Sequence, residues 1–509
     1  MYILMASVKS LESIIKEMQV KDPASVALVE KAYSFAKDAH KAQTRYSGEP
    51  YFLHLAEVGH SLAHMGMDAP TIAAGLLHDS IEDVGVLPET IEKEFSDEIL
   101  GLVDGVTKLG ALRYRGLERH TESLRKLFAA TAQDIRVLII KLMDRRHNAQ
   151  TLEHVPPHKR KRIAMETLEI YAPIADRLGM SVLKTELEDA VFPFAFPAEY
   201  ERVKRHLKER HTESEHRLEK TDRTLKKEMA TAGIRQFHTE ARKKGAYSLY
   251  KKLERKDWDI TKIHDILALR IIVPSMADCY NTLGIIHAHW RPVPGKIKDY
   301  IANPKPNGYQ SIHTTVYTGD GGTLEIQVRT EAMHKEAQFG IASHFSYKEE
   351  SGYLSGGRGS GAEWVRQFLP RRAGQIAKDT PKRNENVPQW VQQLAAFKED
   401  DSDSSEYLEN IKDDFFEHRI FVFTPKGDPI DLPLMATPID FAYAVHSDIG
   451  NHIAGAKVNG KLVSLDTALR NGDIVEITTK ESAKPSKKWL DIAKTTMAKK
   501  HIRSTLNEN

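Results

Sequence analysis

Through residue 196 apolar positions recur every three or four residues, as in SVALVEKAYSFAKDAHKAQ and APTIAAGLLHDSIEDV, and this spacing predicts helices with one buried face. Pro193 and Pro197 punctuate the end of this region. The following segment, ERVKRHLKERHTESEHRLEKTDRTLKKEMA, is polar on nearly every face, with acids and bases one turn apart, and predicts a long solvated helix. From Ile266 the period changes to two: ILALRIIV, HTTVYT and TLEIQVRT predict strands of a mixed α/β domain. In TLEIQVRT, Glu325, Gln327 and Arg329 share one face and Leu324, Ile326 and Val328 the other. Residues 349–388 are rich in Gly, Arg and polar side chains and read as a linker or insertion. From about Arg419 to Thr479 a compact α+β unit is expected. Its parts are a hairpin turning at Lys426-Gly427-Asp428, a helix over ATPIDFAYAVH, and strands KLVSL and DIVEIT.

A chain of 509 residues exceeds one ordinary domain. The pattern divides it into an all-α domain (1–196), an α/β domain with a leading helical linker (197–348), a linker or insertion with a helix (349–410), an α+β domain (411–480) and a helical tail (481–509). Lys and Arg number 73 against 71 Asp and Glu, a net charge of +2, so any cations that hold phosphates must be concentrated locally. The single cysteine, Cys279, fits a reducing compartment. No apolar run reaches transmembrane length, and Met1 to Met5 is too short for a signal core. A cytoplasmic protein without membrane contact is expected.

Two groupings carry chemistry. In HDSIED, His78 and Asp79 are adjacent, with Glu82 and Asp83 four residues on and, on a helix, on the same face. His54 and Asp144 complete a two-His, two-Asp shell with an open position for water, over which the second acid pair can handle its proton. Mixed nitrogen and oxygen ligands suit manganese, though zinc, iron and magnesium share these ligand types. Asn148, one turn after Asp144, faces the same cavity. The second grouping is cationic: Arg242, Lys243 and Lys244, then Ser248, Lys251 and Lys252, and later Arg291, Lys296, Lys298 and Lys305 among turn residues. Such loops can offer charge to a triphosphate, with Tyr309 as a stacking surface for a base. Asp265 would approach Glu325 if their strands are neighbours, and two carboxylates with a phosphate chain make a magnesium site. His287 and His289 alternate by two but are expected to be structural.

The order His, His-Asp, Asp resembles the HD phosphohydrolase superfamily, and RYSGEPYFLH, HDSIED, GVTKL, KLMDRRHN and YAPIADRLGM resemble the hydrolase domain of RelA/SpoT proteins. The resemblance implies metal-assisted removal of pyrophosphate from the 3′ position of (p)ppGpp. It assigns the metal, Mn2+, to His54, His78, Asp79 and Asp144, water activation to Glu82 and Asp83, and nucleotide binding to Arg45, Ser47, Asn148 and Thr151. Tyr46, Leu55 and Arg146 depart from the family pattern without removing a ligand or either acid.

GIIHAHWRPVPGKIKDYIANPKPNGYQSIHTTV and LEIQVRTEAMH resemble the synthetase domain of the same family, a nucleotidyltransferase-like α/β fold. This implies transfer of pyrophosphate from ATP to the 3′-hydroxyl of GDP or GTP. Glu325 would be the base and, with Asp265, would hold Mg2+. Arg242, Lys244 and Ser248 would bind ATP, and Lys298, Lys305, Asn307, Tyr309 and His313 the guanine nucleotide. Lys296-Ile297-Lys298-Asp299 resembles the basic form of a motif of bifunctional members. Ala241, Lys243, Gly245, Gln338 and Phe345 depart from the pattern, which leaves a hydrolase-dominant enzyme as the alternative. TPKGDPIDLP, ATPIDFAYAVHSDIGN and NGDIVEI resemble the TGS domain, a β-grasp module, and this implies contact with uncharged tRNA and the ribosome through His446. A packing histidine at a helix end is the plainer reading of that residue, and a non-catalytic tRNA- or ribosome-binding regulator is the remaining alternative. Because running both reactions together would waste ATP, reciprocal control of the two sites is expected.

Overall fold

The computed structural model describes residues 9–110, 131, 134–260, 263, 267–305, 307–343, 419–427, 429–470 and 472–507. Among these residues packing separates two units, one reaching to residue 343 and one beginning at residue 419. The 349–388 segment, Asp265 and Phe345 lie outside the described residues.

The helical periodicity of the first part produces α1 (Leu11–Glu17), α2 (Pro23–Ala39), α3 (Phe52–His64) and α4 (Ala69–Leu77). Caps present in the sequence set their starts: Asp22 accepts from the Ala24 and Ser25 amides, and Asp68 from the Thr71 amide. A Cβ on Gly75 would fall 2.2 Å from Leu62 Cδ1, and one on Gly59 2.8 Å from Leu76 Cδ2, so α3 and α4 approach at glycines. The helix expected through HDSIED is broken. His78 and Asp79 form the turn between α4 and α5 (Ser80–Val84), with Asp79 at φ −99° and ψ 0°. Asp83 N still bonds Asp79 O at 2.9 Å, which preserves the four-residue offset between the two acid pairs.

After α6 (Pro88–Glu94) and α7 (Asp97–Gly110), Asp134 caps α8 (Ile135–Gln150), which packs against α3 and α7. α9 (Pro157–Glu166) runs into a wide turn, Thr167–Tyr171, before α10 (Ala172–Arg177). Pro173 lacks the N–H that would bond Glu169, and the turn before it opens to an Ala172 N to Thr167 O bond. α11 (Ser181–Ala195) closes the helical layer. The charged segment forms α12 (Pro197–Thr231), as its pattern predicts, with pairs such as Glu219–Arg223 and Asp222–Lys226 one turn apart. These exposed pairs contribute little; the buried stripe of Val203, Leu225 and Met229 holds the helix down.

A five-stranded sheet follows, in the order β1 (His238–Lys243), β2 (Leu267–Val273), β5 (Thr323–Thr330), β4 (Ile312–Tyr317), β3 (Lys298–Asp299). β2 and β5 are parallel and the other pairings antiparallel. Leu269, Ile271, Leu324, Ile326 and Val328 form one core with Leu225 and Met229 of α12 and with Cys279 and Ile286 of α14 (Met276–His289). His287 Nε2 meets Thr314 Oγ1 at 2.8 Å and His289 packs on Trp290, so both histidines are structural.

Helical layer and sheet layer are joined by backbone. α15 (Glu331–Phe339) follows β5 and ends at Gly340, whose φ is +57° and whose added Cβ would lie 2.1 Å from Leu178 O. Ile341 N donates to Leu178 O at 2.9 Å, and Ser181 Oγ to Ala337 O at 2.5 Å. At the other end, the amide of Tyr247, in α13 (Ala246–Glu254), donates to Asp189 Oδ1 of α11.

In the second unit β6 (Arg419–Phe423) and β7 (Pro429–Pro433) form the predicted hairpin, with Gly427 at φ +86° in its turn. α16 (Pro438–Val445) and α17 (Ser447–Asn451) precede the sheet β10 (Val475–Thr479), β8 (Ile453–Val458), β9 (Lys461–Val463), and a parallel bridge, Phe423 with Ile474, links it to β6. The fully buried Asp440 accepts from Thr437 N and Oγ1 through one oxygen and from Lys494 N, Thr495 N and Thr495 Oγ1 through the other. It thereby ties α16 to the segment that leads into α19 (Thr496–Asn507), which follows α18 (Trp489–Ile492).

Glu188 of α11 is half-buried where this helix meets α13, and burial pushes its pKa up to about 7 although Lys184 and Lys251 pull it down. A carboxyl that binds its proton more tightly in the folded state leaves the fold most stable below its ordinary pKa. That stability is lost as pH rises toward 7. Glu188→Gln should therefore raise stability by about 1–2 kcal/mol at pH 8 and change little at pH 4.5, read from thermal unfolding at the two pH values.

Candidate metal centre and nucleotide face

α3, the α4–α5 turn and α8 bring His54, His78, Asp79 and Asp144 together. His54 Nε2 is 3.3 Å from Asp144 Oδ1 and 3.8 Å from Asp79 Oδ2, and His78 Nε2 is 3.1 Å from Asp79 Oδ2. Ligand atoms of His54, His78 and Asp144 all lie within 4.8 Å of one another. His78 Nδ1 donates to Gly75 O at 2.7 Å, which directs Nε2 to the cluster. Among the described residues that buried nitrogen has no hydrogen-bond partner of good geometry. Two imidazoles, two carboxylates and an unsatisfied ring nitrogen fit a divalent metal.

Burial opposes charge throughout the cluster. It pushes His54 below its ordinary pKa, whereas on His78 the Asp79 carboxylate overcomes it and raises the value to about 9. Burial would raise both carboxyls, but His78 holds Asp79, and Lys141 with His78 holds Asp144, well below the usual range.

Supporting groups that sequence spacing alone did not single out surround the four. Tyr51 Oη donates to Asp79 Oδ2 at 2.7 Å, and Lys141 donates to Asp144 Oδ2 at 2.7 Å. His147 Nδ1 lies 2.8 Å from His54 Nδ1. Lys141 and His147 stand three residues either side of Asp144, a helical spacing that marks them once Asp144 is fixed. Of the expected nucleotide residues, Arg45, Asn148 and Thr151 meet: the Arg45 guanidinium donates to Asn148 Oδ1 and to Thr151 Oγ1. Ser47 lies apart from this contact and bonds Glu49 instead. Tyr46 is 66% exposed, and Lys159 Nζ lies 6.0 Å from its ring centre. Glu82 and Asp83 lie on α5; Asp83 is close enough to raise the Tyr51 phenol together with Asp79, although burial is the larger cause.

The polar face of the five-stranded sheet is organised by register. Arg242 is opposite Ala268, Ala268 opposite Glu325, and Glu325 opposite Thr315. In the adjacent row Glu240, Arg270, Gln327, His313 and Lys298 cross all five strands. Cross-strand partners share a face, so Arg242, Arg270, Glu325, Gln327, His313 and Lys298 belong to one surface. Glu325 lies between the edge that carries Arg242 and the edge that carries His313 and Lys298. Its strand is next to the one that Asp265 precedes, as the magnesium expectation requires, although Asp265 itself lies outside the described residues.

Gln327 and Arg329 are 1% and 2% exposed, so the middle of this face is covered, whereas Arg242 and Lys298 toward its edges are exposed. Among the described residues, Arg270 Nε, Arg329 Nε and Gln327 Oε1 are buried without hydrogen-bond partners. Burial, with Arg270 and Arg242 nearby, lowers the Arg329 pKa to about 10, the mark of a surface rich in positive charge. Arg270, the one charge in ILALRIIV, was legible as an exception in that strand. Gln327 Nε2 donates to Glu325 Oε1 at 2.7 Å, and His313 Nδ1 lies 3.2 Å from the same oxygen. His313 Nε2 meets Tyr309 Oη at 2.8 Å. Lys305 Nζ lies 4.8 Å from the Tyr309 ring centre and 4.9 Å from that of Tyr300. Asn307 donates to the Asp176 carbonyl of α10 at 3.0 Å. Ser248 and Lys244 stand at the start of α13, just after β1. In the second unit His446 is exposed between α16 and α17, where its Nδ1 accepts from Asp448 N at 3.2 Å. Among the described residues no helix is long and apolar enough to cross a membrane.

These features define a chain with an all-α domain that holds a His/Asp cluster, an α/β domain built on a five-stranded sheet with a polar face, and a small α+β module. Family models match in the same order: an HD domain over residues 32–181, the region found in RelA/SpoT proteins over 241–352, and a TGS domain over 420–479. A GTP pyrophosphokinase of Myxococcus xanthus is 43% identical over 94% of this chain and 60% of its own length. A guanosine-3′,5′-bis(diphosphate) 3′-pyrophosphohydrolase of Aquifex aeolicus (strain VF5) is 42% identical over 98% of this chain and 67% of its own. The bifunctional (p)ppGpp synthase/hydrolase SpoT of Escherichia coli (strain K12) is 38% identical over 99% of this chain and 68% of its own. The chain belongs to the RelA/SpoT family, and it spans about 60% of the length of the first of these relatives.

Metal at the four-ligand cluster should stabilise the helical domain. At about 100 times its dissociation constant, Mn2+ is expected to add about 2.7 kcal/mol, seen as a rise in the thermal midpoint that EDTA reverses. The rise should vanish in His54→Ala and Asp144→Asn; an unchanged shift in both variants would place the ion elsewhere.

Proposed function

We propose that the protein is a bifunctional alarmone enzyme: it transfers pyrophosphate from ATP to the 3′-hydroxyl of GDP or GTP, and it hydrolyses (p)ppGpp to GDP or GTP and pyrophosphate. The observation that supports this reading is the grouping of His54, His78 and Asp144 with Asp79 beside them among the helices, and of Arg242, Glu325, His313 and Lys298 on one sheet face.

For hydrolysis, His54, His78, Asp79 and Asp144 would hold Mn2+, which supplies Lewis acidity and an acidified water. Glu82 and Asp83 orient that water and take its proton. Arg45, Asn148 and Thr151 grip the nucleotide, with Ser47 at the rim. For synthesis, Glu325 accepts the proton of the 3′-hydroxyl, whose oxygen attacks the β-phosphorus of ATP as the bond to the α-phosphate oxygen breaks and AMP leaves. Gln327 and His313 fix one oxygen of the Glu325 carboxylate. Arg242, Lys244 and Ser248 hold ATP. Lys298, Lys305, Asn307, Tyr309 and His313 hold the guanine nucleotide, with its base on the Tyr309 ring. Asp265 and Glu325 would share Mg2+. The second unit is assigned to uncharged tRNA, with His446 as the exposed contact.

Incubation with labelled ATP and GDP plus Mg2+, and separately with labelled ppGpp plus Mn2+, tests both halves. Glu325→Gln should lower synthesis by about 10²–10⁴-fold and spare hydrolysis, and Asp83→Asn should do the reverse. Turnover of ppGpp alone would identify a hydrolase with a degenerate synthetase; turnover in neither mixture would refute the enzyme.

Reciprocal control is supported by Asn307, a guanine-side residue whose amide is held by the Asp176 carbonyl of the hydrolase helices. In Glu325→Gln, which keeps the binding face but not the base, a non-transferable ATP analogue with GDP should slow ppGpp hydrolysis beyond the effect of GDP alone. Hydrolysis kinetics indifferent to the analogue would remove this coupling.

A further inference from the structure

We infer that His147 is the positioning residue of the metal centre, fixing the tautomer and ring plane of His54 and joining the metal ligands to Arg45. The inference rests on the metal-hydrolase reading above.

Arg45 Nη1 lies 3.0 Å from His147 Nδ1. A guanidinium has donors only, so this ring nitrogen presents its lone pair. His54 Nδ1 approaches the same atom at 2.8 Å, and the proton between the two rings therefore belongs to His54. The ring centres are 5.0 Å apart with planes within 19°, the geometry of two imidazoles meeting edge to edge through their nitrogens. With its proton on Nδ1, His54 turns the Nε2 lone pair toward Asp144 and Asp79. Metal-bound histidines commonly donate their second nitrogen to an outer acceptor, and these acceptors govern ring orientation and basicity.

The two histidines of the cluster differ in that acceptor. His78 uses the Gly75 carbonyl, which the helix supplies whatever the side chains are. His54 uses a side chain whose lone pair is shared with Arg45. A second route leaves the same guanidinium: Arg45 Nη2 donates to Asn148 Oδ1, and Asn148 Nδ2 donates to Asp144 Oδ1. One cation at the nucleotide cavity is thus two hydrogen bonds from each of two metal ligands. When Arg45 turns to an anionic ligand, both routes respond, so metal affinity and nucleotide affinity depend on each other by the same factor.

Mn2+ binding to the full chain, measured by the electron paramagnetic resonance signal of free Mn2+, tests this without turnover. His147→Ala and His147→Leu should bind Mn2+ about 10–100-fold more weakly, with unchanged circular dichroism. His147→Asn, whose side-chain oxygen replaces the Nδ1 acceptor, should recover most of the loss. Saturating GDP should shift Mn2+ affinity in the parent chain and less in His147→Ala. Affinity in His147→Ala within about twofold of the parent, well inside the expected loss, would overturn the positioning role. So would Asn behaving no better than Leu. Equal GDP shifts would overturn the link to Arg45. A parent chain that binds no Mn2+ would overturn the metal centre itself, and this inference with it.

Discussion

Charge buried at Asp144 is the constraint around which the helical layer is arranged. A carboxylate only 5% exposed costs several kcal/mol of lost hydration unless cations and donors replace the water. Lys141 and Asn148 donate to it from its own helix, and His54 reaches it from α3. None of these helices can rotate without stranding a charge. The approach of α3 and α4 at Gly59 and Gly75 follows the same demand, since it lets His54 and His78 converge on the carboxylates. The cluster is in this sense both the candidate metal centre and a reason for the helix packing, with apolar burial supplying the rest.

The sheet domain meets a different constraint. Its apolar face is an ordinary core against α12 and α14, which leaves the other face free to collect groups that a core would reject. Arginines whose Nε atoms are buried and unpartnered, and a glutamate held by a histidine and a glutamine, are costly in a fold without a ligand. Under the proposed function, an anionic nucleotide would meet the cations and a divalent metal the glutamate. Register, more than any single motif, sets the order of charges across this face.

The two layers do not merely follow one another along the chain. Gly340 rests against the Leu178 carbonyl, and Asn307 bonds the Asp176 carbonyl. Both hydrolase-side partners lie in or next to α10, just after the widened turn at Thr167–Tyr171. Movement of this short helix would be felt at the loop that carries Asn307 and at the end of α15, which continues from the strand that bears Glu325. Each contact of this seam ends on a backbone group on at least one side, and that group cannot repack as a side chain does.

Much of the protein was legible before any coordinate. The helical period through residue 196, the alternation in TLEIQVRT and the turn at Gly427 specify local structure, because short-range sterics and the burial of one face act within a few residues. The ligand types were legible too, since a metal or a phosphate admits few side chains. The break of HDSIED into a turn and a separate helix was not, because helix propensity does not register where tertiary packing ends a helix. Nor were Tyr51, Lys141 and His147 as partners of the metal ligands, or the row that sets Arg242 level with Glu325. The sequence by itself determined which elements form and which chemistries they carry. Only the tertiary structure decided which side chains share a proton or face one another, because hydrogen bonding is short-ranged in space and indifferent to distance along the chain.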